Sequence, residues 1–393
     1  MITHNKHLHV KLIKNAIIFP ATGENISTKN SIQGVQSRHP EKDPEDFGLT
    51  YFGKNLTDYK KRSGFLKKNK LKKLSGKYLY LRAMFTDHFG HFLAESIHRF
   101  WACKYFEDEV SGFIILSPHR KFTPTEVFHA SCHLLEVDIK KIILVNELSE
   151  IELLIIPDLG SSIGTTPKKW YLREISKKIF LGKLKNPSLP KKLFIRRGHQ
   201  YLSRTIGLSY FSDLIRQNGF IEFFPENFPF LDQVKYIISA DYVLWEEGSA
   251  CHIFEILPTI HYKQSILIKR KEKETAIDLT LNSRIKNQER YKNIKKVFSG
   301  TGISCDVSRM KDPGEFYDYL KIKKIIKGDD RFNILYFWVY ECYDFLNFYT
   351  KYLEIKTIYF LLEKVKPNVN LRLWNIFKNL AYKAQRISKS PTS

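Results

Sequence analysis

The chain has 393 residues, too many for one ordinary hydrophobic core and suited to two domains. Hydrophobic residues make up 43% and aromatics 14%, which excludes a disordered chain. Lys and Arg outnumber Asp and Glu 64 to 41, a formal charge of +23. That balance fits nucleic acid, an anionic membrane surface or an acidic polysaccharide as partner, or a solvated lysine-rich surface.

Residues 1–75 are polar, with a turn-rich stretch from His39 to Gly48 and a basic run from Lys60 to Lys77. From there the hydrophobic pattern becomes regular. Tyr78–Met84 is expected to be a strand, Phe89–Phe106 a helix, Phe113–Leu116 a buried strand and Pro124–Leu135 a helix. Ile142–Val145 and Leu153–Ile156 are further strands, and Pro167–Leu181 is a helix with proline in its first turn. The stretch Asn186-Pro187-Ser188-Leu189-Pro190 punctuates the chain as a boundary.

A second alternating set follows: strand Leu193–Ile195, helix Ser209–Gln217 stopped by Gly219, strand Phe220–Phe224, helix Leu231–Ser239, strand Tyr242–Trp245 and helix Ala250–Leu257. Alternation of this kind implies mostly parallel sheets covered on both faces, here two Rossmann-like α/β domains facing a cleft. Ligands then belong in the loops after Ile195 and Trp245, at the carboxyl ends of the strands. Beyond Ile260 the pattern blurs into the basic runs Lys269–Lys273 and Arg284–Lys296, and Phe332–Ile376 is aromatic and basic. The division expected is a polar segment at 1–75, a first α/β domain at 76–188, a second at 189–330 and a helical extension at 331–393.

The cysteines at 103, 132, 251, 305 and 342 are odd in number and lack CxxC spacing, so neither a disulfide framework nor a zinc site is indicated. A reducing, cytoplasmic compartment fits. The N-terminus has no apolar signal segment, and the most apolar window, Phe332 to Tyr349, is interrupted by Glu341 and Asp344, so no membrane span is expected. The sequons at Asn25 and Asn55 carry little meaning without secretion.

Three groups of residues carry chemistry. In Asp87-His88-Phe89-Gly90-His91 and onward to Arg99, a helix would place His88, His91, Glu95, His98 and Arg99 opposite an apolar face. His91 and Glu95, four apart, form a general-base arrangement; the bland alternative is a solvated polar face. A metal on His88 and His91 lacks a third ligand, and no HExxH occurs. Arg196 and Arg197 end a strand, with Arg204 close behind, and suit a diphosphate. In Glu247-Gly248-Ser249-Ala250-Cys251-His252, glycine allows close backbone approach, serine can cap the helix, and Glu247 could accept from ribose hydroxyls. No GxGxxG, GxxxxGK[ST] or DxD motif occurs, which argues against dinucleotide, P-loop and metal-bridged diphosphate sites.

Together with Leu193-Phe194-Ile195-Arg196-Arg197, Asn218-Gly219-Phe220, Phe224-Pro225-Glu226, Asp232-Gln233-Val234, Ser239-Ala240-Asp241 and Glu247-Gly248-Ser249, the order of these pieces resembles glycosyltransferase family 61, including bacterial members of capsular polysaccharide synthesis. The resemblance covers roughly Tyr78 to Pro258. It implies an inverting, metal-independent transferase of two-Rossmann-domain (GT-B) architecture, with no cofactor, since the nucleotide sugar is a substrate. Carried over, Arg196 or Arg197 and the Gly248-Ser249 turn would meet the donor diphosphate, with Arg204, Glu247 and His252 in the donor region. His91 and Glu95 match the family's His-plus-acid pattern on the acceptor side, flanked by His88, His98 and Arg99, and either of the two is the base. The acceptor implied is a glycan or lipid-linked glycan, and the basic aromatic extension could meet the inner face of the cytoplasmic membrane. The different reading is a basic nucleic-acid-binding protein without catalysis.

Overall fold

The computed structural model describes residues 9–20, 33–37, 59–86, 88–117, 122–197, 204–299, 306–327 and 332–365, with short strands at 2–5, 46–48, 50–51 and 54–55. Asp87, Cys305, Asn25 and the extension beyond residue 365 lie outside them.

The chain is a mixed α/β protein with two main sheets. In the first, strands run in the order Asp46–Gly48, Gly34–Gln36, Val10–Phe19, Ser149–Pro157, Lys72–Ala83, Gly112–Leu116 and Ile142–Leu144. The last four are parallel, as alternation predicts, whereas Val10–Phe19 runs antiparallel to Ser149–Pro157. The polar N-terminal stretch thus supplies strands to this sheet. Period-two alternation sends Leu79 and Leu81 to one face and Tyr78 and Tyr80 to the other. Pairing with Gly112–Leu116 slips between Tyr80 and Arg82, and there Arg82 takes φ +106, a costly conformation for a residue with a side chain.

The second sheet is wholly parallel, in the order Ile221–Phe223, Lys192–Ile195, Tyr242–Glu246, Ile260–Ile268 and Ile285–Tyr291. The fourth and fifth strands lie in the region where the sequence pattern blurs. Leu193, Ile195, Val243 and Trp245 face the first half of the molecule. Phe194, Leu244, Ile266 and Ile268 face helix Leu208–Gln217 and helix Pro313–Ile322. One apolar cluster runs through both halves, joining Phe92, Phe128 and Trp101 to Phe230, Trp245 and Phe254. Glu126 reinforces this contact by accepting the Phe230 amide, at 3.1 Å to each carboxylate oxygen.

This shared core reshapes the segment expected as one amphipathic helix over Phe89–Phe106. It is a short α-turn (Phe89–His91), a π-helix (Phe92–Ser96), a 3-10 turn (Phe100–Ala102) and a last α-turn (Cys103–Phe106). Every residue from Gly90 to Cys103 is buried, because the segment is sandwiched between the first sheet and the second half. Of the residues expected on a solvated polar face, only His88 is exposed.

Helix Ile334–Val365 closes the other side of the second half. Phe337, Phe348 and Tyr352 are buried, the last two against Ile206 and Val307. Phe337 occupies the space a side chain at Gly207 would fill, since a Cβ there would lie 2.5 Å from the ring; Gly207 also needs its left-handed φ of +78. Asp344 accepts from the Gly207 amide at 2.9 Å and the Ser209 hydroxyl at 2.6 Å, capping helix Leu208–Gln217 from 137 residues away in sequence.

Candidate active site

Three adjacent parallel strands of the second sheet end level with one another: Ile195 pairs with Trp245, and Trp245 with Leu267. The residues that follow each strand therefore share one edge. They are Arg196-Arg197, Glu247-Gly248-Ser249 and Lys269-Arg270.

Alternation separates the two arginines that the sequence left as equals. Arg196 continues the face of Phe194 and is engaged there, with Nη1 2.6 Å from Glu222, Nε 3.3 Å from Glu246, and a further bond to the Ser212 hydroxyl. Arg197 continues the face of Ile195, toward the first half. It packs over Gly248, where a Cβ would lie 2.5 Å from its Nη1. Gly248, with extended φ of −174, makes room for this guanidinium. Burial, followed by the neighbouring charge of Arg270, pulls the Arg197 guanidinium down to about 10. Guanidinium groups held at one strand edge suit an anionic ligand.

Burial alone would raise the Glu246 carboxyl, but Arg196, Arg197 and Arg204 outweigh it and hold it below its ordinary value. Glu246 is thus the fixed anion that keeps the cluster together. Glu247 is not open to a ribose. It is 1% exposed and accepts from Lys269 Nζ at 3.0 Å, the Arg270 amide at 2.7 Å and the Thr275 hydroxyl at 2.8 Å. Its work is to fasten the loop that carries Arg270, together with Asp278, which also pairs with Lys269 and Arg290. Ser249 is the first residue of a seven-residue 3-10 helix, Ser249–Glu255, and makes no capping hydrogen bond.

A cleft of about 170 Å³ opens at this edge, lined by Arg196, Arg197, Pro225, Glu226, Gln233, Ser249 and Ala250 from the second half and Phe89 from the first. A larger groove of about 670 Å³, between Cys132–Asp138 and Lys177–Leu184, contains none of these residues.

From the first half, His91 Nδ1 donates to Glu95 Oε2 at 2.6 Å, with Glu95 1% and His91 7% exposed. The other oxygen of Glu95 is buried and meets no hydrogen-bond donor among the described residues. Arg82, 4% exposed, lies beneath this pair and donates to the Glu95 carbonyl at 2.8 Å. Its guanidinium is lowered by burial and held up by the Glu95 charge. The exposed ring of His88 stands 4.4 Å from that of His91.

Gly90 lets the two halves meet: a Cβ there would lie 3.2 Å from His252 and 3.5 Å from Ser249. His252 consequently sits beside the histidines of the first half, with Nδ1 3.9 Å from the buried Glu255.

His98 and Arg99 do not reach this place. His98 Nε2 donates to the Ala94 carbonyl at 3.0 Å and its Nδ1 accepts from Tyr171 at 3.1 Å; burial pushes it down to about 4, so it is a neutral core residue. Arg99 is 5% exposed and stacks on Tyr80 at 5.2 Å. Both were expected on a polar face that the shared core has buried. Arg270, Arg82 and Gln233 are the neighbours that sequence reading missed. Arg270 ends a strand, just as Arg197 does, and recognising Ile260–Ile268 as that strand would have found it.

Residues 89–259 match the family model for glycosyltransferase 61. That stretch, under half of the chain, is similar to glycosyltransferase family 61. The matched region spans Phe89, the His91–Glu95 pair, the Arg196-Arg197 strand end and the Gly248-Ser249 turn. Arg82, Arg270 and the C-terminal helix fall outside it. The match supports a glycosyltransferase, a class of enzyme that in general uses a nucleotide-sugar donor and a glycan acceptor. No curated protein matches the chain. Among the described residues no group of three or more His, Cys, Asp or Glu is placed to hold a metal ion. No helix among them is long and apolar enough to cross a membrane.

Proposed function

We propose that the chain is an inverting transferase of GT-B type that moves sugar from a nucleotide-diphosphate donor to a polysaccharide or glycolipid acceptor. Residues 189–330 would hold the donor and 76–188 the acceptor, and the setting would be capsule or surface glycan synthesis on the cytoplasmic side. The observation that carries this reading is Arg197 at a strand end, with the charge of Arg270 beside it, in a cleft whose opposite wall is Phe89 of the histidine segment.

Inversion is a single displacement. A base removes the acceptor hydroxyl proton as that oxygen attacks the anomeric carbon, and the diphosphate leaves with growing negative charge. Arg197 and Arg270, preorganised by Glu246 and Glu247, would neutralise that charge without a metal. Gly248 keeps the turn low enough for Arg197 to reach it. The geometry favours His91 as base and Glu95 as its partner. Glu95 is wholly enclosed, and its bond to Nδ1 holds the His91 ring in one orientation, as a base requires. Arg82 balances the buried carboxylate from below.

Thermal-shift measurement against UDP, GDP and CMP and their sugars, followed by NMR of the anomeric configuration of the product, tests the reading. One nucleotide should stabilise the protein, Arg197→Met and Arg270→Met should each abolish that shift, and the product should be inverted. A retained configuration, or stabilisation indifferent to both arginines, overturns it. The nucleic-acid alternative gains no support from the family match.

A further inference from the structure

Helix Ile334–Val365 is apolar on two opposite sides. One side is accounted for by Phe337, Phe348 and Tyr352 in the core. The other carries nine of the fifteen large hydrophobic side chains that stand exposed among the described residues, from Ile334 to Leu353. Leu335, Val339 and Leu346 are each at least 60% exposed, and Trp338 is half exposed. Over these 20 residues, about 30 Å of helix, the one basic residue is Lys351, which is partly exposed and pairs with Glu354 at 2.7 Å. Both acids in this stretch are turned inward: Glu341 pairs with Arg309 at 2.9 Å, and Asp344 caps the neighbouring helix. A face of this size and purity is a docking surface.

We propose that this face lies on an anionic lipid membrane, parallel to its plane. Three observations select that occupant. Tyr336, Trp338, Tyr343 and Tyr349 are among its exposed residues, and such rings suit the boundary between headgroups and acyl chains. The sequence immediately following, residues 354–393, holds eight Lys or Arg against two Glu. An apolar face plus a basic run is the pair of signals that stable surface binding needs. A second copy of the chain is the poorer partner, because it would bring one charge of +23 against another. The helix is not apolar enough to span the bilayer, so it rests on it.

This inference is independent of the catalytic reading, because the face belongs to none of the site residues. The test is flotation of the full chain with vesicles of mixed phosphatidylcholine and phosphatidylglycerol, beside vesicles of phosphatidylcholine alone. The wild type should float with the anionic vesicles at low salt, and less with the neutral ones. The triple variant Leu335→Glu, Val339→Glu, Leu346→Glu should stay at the bottom of the gradient. All three positions are exposed, so its melting temperature and its transfer to a water-soluble acceptor should match the wild type. Flotation that survives the triple change overturns the proposal, as does a wild type that binds neither vesicle. A vesicle-indifferent wild-type dimer that the triple variant makes monomeric overturns it in favour of a second copy.

Discussion

The two halves solve the same problem, placing a charged group where a strand gives way to a helix, in opposite ways. In the second half the three strands that carry the site pair without a slip and end in register, so Arg197, Gly248 and Arg270 arrive at one edge through sheet geometry alone. In the first half the strand slips at Arg82, with φ +106, and the next helix breaks into α, π and 3-10 pieces around His91 and Glu95. The difference follows from burial. A guanidinium at a strand edge is only partly covered and needs only the right register. A buried carboxylate needs a counter-ion and a bonded partner, and the backbone distorts to supply both. Both halves bury charge, but the second half does so at regular strand ends, where Glu247 meets Lys269, and the first does so by distorting its backbone.

That contrast can be broken at its strongest point first. His91→Ala should cut transfer about 10²- to 10⁴-fold in kcat, the range of a lost general base, with donor affinity unchanged. Glu95→Gln should cost less, because it disturbs the base without removing it. A kcat within tenfold of wild type for both variants would remove the dyad from the mechanism. Next, Arg197→Met should lower kcat/KM for the donor about 10²- to 10³-fold. Arg196→Met should instead lower the melting temperature through Glu222 and Glu246 and leave donor affinity nearly intact. Equal donor effects from the two arginines would defeat the alternation argument.

His98 tests the first half's side of the contrast by pH. Its folded pKa of about 4 lies below the ordinary 6.5, so the unfolded chain binds more protons between those values. Its contribution is therefore complete above pH 6.5 and is lost as pH falls to 4, by on the order of 3 kcal/mol. Denaturant unfolding of His98→Gln across that window should show a shallower acid loss than the wild type; parallel curves would place the His98 charge in solvent. The smallest expected effect is Gly248→Ala. The new methyl pushes on Arg197, and donor Kd should rise about tenfold, roughly 1.4 kcal/mol, with kcat little changed.

The regular half was the more legible. Leu193–Ile195, Leu231–Ser239 and Tyr242–Trp245 could be read almost residue for residue, because short apolar runs between turn residues allow few other structures. Ile260–Ile268 escaped because His261, Lys263 and Gln264 interrupt its apolar run, although its second half is fully buried. The His91–Glu95 contact was legible from spacing alone. The fate of His98 and Arg99 was not, because periodicity identifies a polar face without saying whether water or another half of the protein covers it. Glu247 shows the same limit: its partner Lys269 lies 22 residues on, at the end of the unrecognised strand.

Asp344 ties the donor edge to a part of the chain made much later. The strand end at Gly207 and the helix that follows it leave the ribosome 137 residues before the carboxylate that caps them. During synthesis that helix start has no cap, and the pocket that Phe337 fills at Gly207 stands empty. The second sheet can pair its strands early, but its outer wall waits for the C-terminal helix, so the apolar surface bounded by Ile206 and Val307 stays uncovered in a nascent chain until that helix is made.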